Sequence, residues 1–312
     1  MAKLLITGGA GFQGRALVKH FLNKGHNITV LNTFSERAIQ NLQDIKNDIS
    51  VVLGSITDQE LVHKTIREHD CIFHLAARIH VDESIKDPLT TLKVNLFGTY
   101  NILESVTHFK SRLIYASSCE VYGAPLRNVP ISEEAELRPH SPYAASKAAA
   151  DRLCFSYFMT YGTNVTIVRP FNIFGPFQKR GTAGALIPIL VYRASKKLPL
   201  YIYGSGNQKR DYMYVDDLVN AYDLVYNHKE LKGQTINFGT GQETKISDIA
   251  KYIAKKFKVQ IIHKSPRPGE VPYFKANVSK AKKIGFKPTI DIWSGIDTYI
   301  AWYKNNSKNN LS

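Results

Sequence analysis

Apolar positions along this chain fall into two registers. Runs at 3–7, 28–31, 49–53, 71–75, 112–117 and 164–169 have the length of buried strands and are rich in Ile, Leu and Val. Longer stretches with apolar residues at helical spacing separate them. One runs from the glycines after Thr7 to about Lys24, where Gly25 supplies a helix C-cap. Others cover about Leu89 to Phe109 and residues 142–161. Strand–helix alternation in units of this size predicts an α/β fold with a parallel sheet covered on both faces. Beyond residue 170 the pattern loosens into Gly/Pro-rich turns, a short strand at 200–203, and helices near 215–228, 246–257 and 292–305. No repeat, low-complexity segment or linker divides the chain. The expected organisation is a doubly wound domain over 1–169 and a smaller C-terminal α/β lobe over 170–312, with an interleaved boundary.

Within this frame, Gly8, Gly11 and Gly14 join the first strand to the first helix, with Phe12 and Gln13 between them. Spaced glycines there give a tight turn and let a pyrophosphate approach the backbone at a helix N-terminus. Strand–Gly-x-x-Gly-x-x-Gly–helix reads as a Rossmann-type dinucleotide site. The second strand ends at Asn32, where such folds commonly place an acid for the adenosine ribose. Asparagine still bonds a hydroxyl but does not repel a 2′-phosphate, and Arg37 follows. NAD is the expected cofactor, with NADP admitted. Ala76 and Ala77 end the fourth strand with small side chains that leave room for a cofactor.

The strand at 112–117 ends in Ser118-Cys119-Glu120, and the helix from Pro142 carries Tyr143 and Lys147 four residues apart on one face. An ammonium beside a phenol favours phenolate and lowers a Tyr pKa from its ordinary ~10, which makes tyrosine a general base. The same Tyr-x-x-x-Lys spacing recurs at Tyr192/Lys196 and Tyr252/Lys256 without such a cluster, and those read as surface pairs.

Composition adds exclusions. In 312 residues, 44% hydrophobic and 21% charged, no apolar run approaches the ~20 residues of a membrane span. The N-terminal apolar stretch is too short for a signal peptide, so a cytoplasmic, unprocessed protein is expected. Cys71, Cys119 and Cys154 lack metal-ligand spacing and form no disulfide framework; Cys71 and Cys154 read as core residues, and no metal is expected. The formal charge of +15 comes from lysines spread along helix faces, densest from Lys251 to Lys287, without an arginine–aromatic pattern. A solvated surface that helps gather a diphosphate-bearing substrate fits better than a nucleic-acid interface.

Taken in order, Gly8–Gly14, His74–Ala77, Val94-Asn95 with Gly98-Thr99, Ser118, Tyr143/Lys147, Arg169–Pro176, Tyr203-Gly204 through Arg210-Asp211, and Arg267–Glu270 resemble the extended short-chain dehydrogenase/reductase family, the nucleotide-sugar epimerases and dehydratases. The resemblance spans nearly the whole chain. It implies a nucleoside-diphosphate sugar as substrate, Asn95 at the cofactor, Ser118 on the sugar hydroxyl being oxidised, Tyr143 as its base, and Lys147 on the nicotinamide ribose. It also implies Asn172 near the diphosphate, Arg210 and Arg267 at the nucleotide end, and Glu270 at its ribose. Arginine suits phosphate because its planar fork binds bidentately. Homodimerisation through the helices at about 89–109 and 142–161 is implied in the same way.

Such enzymes first oxidise a sugar carbinol and then diverge. A 4-epimerase only turns the ketone over and returns hydride. A dehydratase removes the C5 proton and expels the C6 hydroxyl, which requires a base, and Glu120 stands where the dehydratase glutamate would. Cys119 replaces the aspartate or serine that precedes it; it would donate as a thiol and accept as a thiolate. The Cys-Glu pair resembles the UDP-GlcNAc 5,6-dehydratase type, so 4,6- and 5,6-elimination both stay open. The first reading is therefore a dehydratase, with a 4-epimerase as the alternative. Lesser readings are a UDP-glucuronate decarboxylase, whose arginine has no match beyond nearby Arg180, and a catalytically silent cofactor-binding scaffold.

Overall fold

The computed structural model describes residues 1–33, 35–125, 127–178, 185–266 and 271–307. Its first half alternates strictly: β1 (Lys3–Thr7), α1 (Phe12–Asn23), β2 (Asn27–Asn32), α2 (Glu36–Leu42), β3 (Ser50–Leu53), α3 (Gln59–Ile66) and β4 (Cys71–His74). Next come α4 (Val81–Lys86), α5 (Pro88–Leu92), a π-helical turn over Lys93–Phe97, α6 (Gly98–Phe109), β5 (Arg112–Ala116), a 3-10 turn at Cys119–Tyr122, α7 (Pro142–Tyr161) and β6 (Val165–Pro170). The second half runs β7 (Asn172–Phe174), α8 (Leu186–Ser195), β8 (Leu200–Tyr203), β9 (Lys209–Arg210), β10 (Tyr212–Tyr214) and α9 (Val215–Asn227). It finishes with β11 (Thr235–Phe238), β12 (Thr244–Lys245), α10 (Ile246–Phe257), β13 (Ile261–Lys264), α11 (Ser279–Lys283) and α12 (Ile292–Ser307).

Seven parallel strands form the main sheet in the order β11-β6-β5-β4-β1-β2-β3. The order in which strands are added reverses between β1 and β4, and at such a switch point the strand ends open a crevice where doubly wound sheets bind ligands. The central strands are buried on both faces, as their uninterrupted apolar runs require: β4, β5 and β6 are buried at every position. One core lies on each side of the sheet. The larger joins α1, α8, α9, α10 and α12, and the smaller lies under α3, α6 and α7.

The seventh strand, β11, belongs to the half beyond residue 170 and hydrogen-bonds β6, so the two halves share one sheet. The remaining short strands pair in twos, β10 with β7, β12 with β9, and β13 with β8. The helical stretch expected over 89–109 is broken into α5, the π turn and α6, with Asn95 inside the π turn. Among the described residues no helix is long and apolar enough to cross a membrane, and no group of three or more His, Cys, Asp or Glu is arranged to hold a metal.

Candidate active site

The turn after β1 is tight: the Gly11 amide donates to the Gly8 carbonyl at 2.9 Å. A Cβ on Gly14 would lie 2.2 Å from that same carbonyl oxygen, and one on Gly8, at φ +72°, would lie 2.8 Å from the Ala76 nitrogen. Only glycine permits this closeness. No side chain caps α1 at Gly11, so the amides of Phe12, Gln13 and Gly14 retain the donor capacity that a helix N-terminus offers a pyrophosphate. Asn32 ends β2 with its amide donating to the Thr33 carbonyl at 2.8 Å. Its carbonyl oxygen is the group available to a ribose hydroxyl. The glycine cradle, the uncapped helix start and Asn32 together fit a dinucleotide. The side chain of Arg37 lies outside the described residues.

A buried relay supports the floor of this cleft. The Ala76 amide donates to Thr7 Oγ1 at 3.2 Å, and Thr7 Oγ1 lies 2.7 Å from His74 Nδ1. His74 Nε2 lies 3.0 Å from Thr99 Oγ1, which donates to the Asn95 carbonyl at 2.6 Å. With the Thr99 proton spent on that carbonyl, Nε2 is the protonated ring nitrogen and Nδ1 accepts from Thr7. Burial lowers the His74 pKa to about 3, helped by the charge of Lys147, so the ring is neutral. Asn95 spends its side-chain amide on the same scaffold. It accepts from the Arg78 amide at 2.7 Å and donates to the Arg78 carbonyl at 3.0 Å and to Ser146 Oγ at 2.9 Å. It orders the loop after β4 and ties it to α7.

Ser118, Cys119, Glu120 and Tyr143 converge. Ser141 caps α7 by accepting from the Ala144 amide at 3.1 Å, and the Tyr143 amide donates to Ser84 Oγ at 3.0 Å, which fixes the helix start. Ser118 Oγ accepts from the Glu120 amide at 3.2 Å and hydrogen-bonds the Tyr143 phenol. Burial pushes that phenol above its ordinary value, the Ser118 bond opposes the rise, and Glu120 and Cys119 add to it. This differs from the lowering expected of an adjacent ammonium. Lys147 Nζ donates to the Ala116 carbonyl at 2.5 Å and lies 4.4 Å from the Tyr115 ring centroid, so it is anchored on the strand below the phenol. Burial brings the Lys147 pKa down to about 8 against the opposing pull of Cys154 and Asp151.

Glu120 reaches solvent at the cleft yet is walled by protein atoms, and this desolvation raises its pKa while the charges of Arg210 and His140 hold it back. Cys119 is buried in the larger core, and burial together with Glu120 and Asp211 pushes its thiol far up, with Arg210 opposing. At neutral pH it is a thiol; the thiolate role left open by the sequence does not fit this environment. Arg210 is held by two backbone carbonyls: Nη1 donates to Lys209 on its own strand at 2.8 Å and to Val271 at 2.7 Å. Asp211 nails that segment down from inside. It accepts from the Thr240 amide and hydroxyl at 2.8 and 2.6 Å, and from the amides of Gly241 and Ala276 at 2.9 and 3.2 Å. Asn172 donates to the Asp211 carbonyl from both its backbone and its side-chain amide, at 3.2 and 3.3 Å.

Sequence reading gave no role to Asp211, to His140, or to Asp151 and Arg169, whose buried pair lies behind the site. The only hint of Asp151 was one acid in the apolar Ala148–Cys154 stretch. Arg267, Glu270 and Arg180 lie outside the described residues. Cys71 and Cys154 are buried thiols, and Tyr252 and Lys256 share Asp297 at the surface, as the sequence suggested.

The chain matches the family model described as GDP-mannose 4,6 dehydratase over residues 5–299. Pal from Bacillus thuringiensis is 34% identical, with 97% of this chain and 99% of that one covered at a TM-score of 0.92. The UDP-glucose 4-epimerase of Thermotoga maritima, solved with UDP-glucose, is 26% identical, with 98% and 99% covered and a TM-score of 0.91. DesIV, a dTDP-glucose 4,6-dehydratase from Streptomyces venezuelae solved with NAD, is 28% identical, with 98% of each chain covered and a TM-score of 0.90. With the cleft and its Ser118, Tyr143 and Lys147 in place, these likenesses settle the family. The chain belongs to the extended short-chain dehydrogenases/reductases, among the NAD-dependent nucleotide-sugar epimerases and dehydratases.

Proposed function

We propose that the protein is a nucleotide-sugar dehydratase acting on a nucleoside-diphosphate hexose of UDP-GlcNAc-like type. NAD, when bound on Gly8–Gly14 and Asn32, supplies the hydride acceptor. The residues of the chain do the rest. Tyr143 takes the proton of the C4 hydroxyl, aided by Ser118. Lys147 holds positive charge beside the ribose side of the cleft. Glu120 removes the C5 proton made acidic by the C4 ketone, and the C6 hydroxyl leaves as water. Arg210 neutralises charge at the diphosphate end, with Asn172 beside it, and Arg267 and Glu270 are proposed for the nucleotide. The observation that carries this reading is the carboxylate at position 120, set beside Tyr143 and Arg210 with its basicity raised by desolvation. Turning over a ketone needs no such base; elimination does.

Cys119, a thiol at neutral pH, is the proton donor on hand for the departing hydroxyl; because burial disfavours its thiolate, the proton that Glu120 takes from C5 returns to Cys119 as the hydroxyl leaves as water. Both 4,6- and 5,6-elimination use the same first steps, and the carbon that receives the returning hydride distinguishes them. Incubating UDP-, dTDP- and GDP-hexoses with the protein tests the reading. A product lighter by one water supports it, and isomerisation at unchanged mass replaces it with the 4-epimerase reading, which the likeness to the Thermotoga maritima enzyme favours.

A second copy of the chain is the proposed partner. Leu89 of α5, Phe97 of the π turn, Tyr100 of α6, and Phe155, Met159 and Tyr161 of α7 are exposed apolar side chains on neighbouring elements. An apolar surface of this kind is what a helix-bundle interface covers. Phe97→Glu combined with Met159→Glu should give a monomer in sedimentation; a monomeric parent protein would remove the proposal. We assign the protein to the cytoplasm.

A further inference from the structure

Behind the active site the end of β5 and the first half of α7 are joined by three rungs. Ser118 meets Tyr143, the Ala116 carbonyl takes the Lys147 ammonium, and Ser117 Oγ donates to Asp151 Oδ2 at 2.6 Å. Tyr143, Lys147 and Asp151 follow at four-residue steps, so each lies one turn below the last. Asp151 is wholly buried, and Arg169, at the end of β6, is 1% exposed. Arg169 grips Asp151 bidentately, Nε to Oδ2 and Nη2 to Oδ1, both at 2.8 Å. Its remaining nitrogen, Nη1, donates to Tyr122 Oη at 2.8 Å and to the Glu133 carbonyl at 3.2 Å. Tyr122 lies in the 3-10 turn that also carries Glu120, and its hydroxyl donates to Asn237 Oδ1 of β11 at 2.7 Å.

One buried ion pair therefore connects the helix bearing Tyr143 and Lys147 to the turn bearing Glu120. Removing two charges from water is costly, and an apolar pair would fill the space as well. We propose that Asp151 and Arg169 are positioning residues, which hold the Tyr143/Lys147 helix in register with the Glu120 turn, and that Asp151 keeps Lys147 in the ammonium form. This rests on the reading of Tyr143 and Lys147 as the oxidising pair.

The groups facing Lys147 are Tyr143, Asp151 and Cys154 on its own helix, Tyr115 and the Ala116 carbonyl on β5, and neutral His74 on β4. Asp151 is the one carboxylate among them. Burial alone would raise its pKa, but the bonds from Arg169, Ser117 and Arg152 hold it below the ordinary value, so it is ionised.

Two single variants push in opposite directions. Asp151→Asn removes the carboxylate facing Lys147 and should lower the Lys147 titration midpoint by about one unit; Arg169→Gln leaves Asp151 paired with Arg152 alone, so more of its charge acts on Lys147, and should raise the midpoint by up to about one unit. The double variant should lie near the parent. Lysine ε-13C NMR of the full chain follows the midpoint directly, with Lys147→Arg to assign the signal. In steady-state kinetics each single variant should lose about 10- to 100-fold in kcat with KM within about twofold, since the misplaced groups are the reacting ones. Midpoints that do not move, or move the same way in both variants, overturn the electrostatic role. A kcat unchanged in both, or a rise in KM that accounts for the whole loss, overturns the positioning role. If neither single variant folds, Ser117→Ala carries the test: it removes one rung and no charge, and should cost about threefold in kcat at constant KM. An unchanged kcat there overturns the proposal. Tyr143→Phe with full turnover would instead remove the underlying reading.

Discussion

Replacing Glu120 by glutamine separates the two halves of the proposed chemistry. The amide is isosteric with the acid, and the Glu120 backbone amide goes on donating to Ser118 Oγ at 3.2 Å. The Ser118–Tyr143 contact and the Lys147 anchor on Ala116 do not involve the side chain that changes. Arg210 stays in place because two backbone carbonyls and the Asp211 pin hold it. Only the base is lost. A positioned general base contributes about 10²- to 10⁴-fold, and Glu120 has a pKa raised by desolvation, which makes it a stronger base than an ordinary carboxylate. A loss of about 10³-fold in water elimination follows, or about 4 kcal/mol in the barrier. Hydride transfer from the sugar should change by no more than about threefold, the size of a small electrostatic perturbation. Stopped-flow absorbance of the nicotinamide reads the first half, and mass analysis of quenched product reads the second. The variant should accumulate reduced cofactor that persists, with no product of lower mass. Dehydration within tenfold of the parent, or loss of cofactor reduction together with dehydration, would refute Glu120 as the C5 base.

Further outcomes follow from the same contacts. As a base Glu120 works deprotonated, so kcat/KM falls as pH drops through its raised pKa; Arg210→Met removes a charge that lowers that pKa and should move the acid limb to higher pH, with a rise in KM. A limb that stays or moves down would contradict this placement of Arg210. Tyr143→Phe should abolish turnover by about 10³-fold or more while NAD binding, followed by calorimetry, is retained; a rate near the parent's removes Tyr143 from the mechanism. His74 has a folded pKa of about 3 against 6.5 unfolded, so its contribution to stability is present above pH 6.5 and is lost as pH falls toward 3. That linkage amounts to about 5 kcal/mol across the window; His74→Gln should flatten the fall of melting temperature over it, and an unchanged slope would contradict a neutral buried ring.

Elements fixed by local pattern were legible in the chain. β1, the glycine turn and α1 are contiguous, and α7 has the predicted ends because Ser141-Pro142 starts it and Gly162 stops it at φ +65°. What escaped depends on distant partners. The strand Thr235–Phe238 is four residues long and carries a buried Asn237, so nothing in its pattern marks it as the sheet edge beside β6. The π turn at Lys93–Phe97 hides in an apolar helical stretch whose spacing does not mark it. Tyr143 and Lys147 were found by spacing, but spacing cannot give burial, which raises the phenol and lowers the ammonium. Asp151 and Arg169 are 18 residues apart, separated by the rest of α7 and its connection to β6, and their pairing is purely tertiary.

The most direct measurement uses a nucleoside-diphosphate hexose carrying deuterium at C4. If a bound nicotinamide takes that hydride and Glu120 drives elimination, mass spectrometry will find a product lighter by one water that still holds the deuterium, at C6 after 4,6-elimination or at C4 after 5,6-elimination. A product of unchanged mass would contradict dehydration, and deuterium lost to solvent would contradict hydride transfer itself.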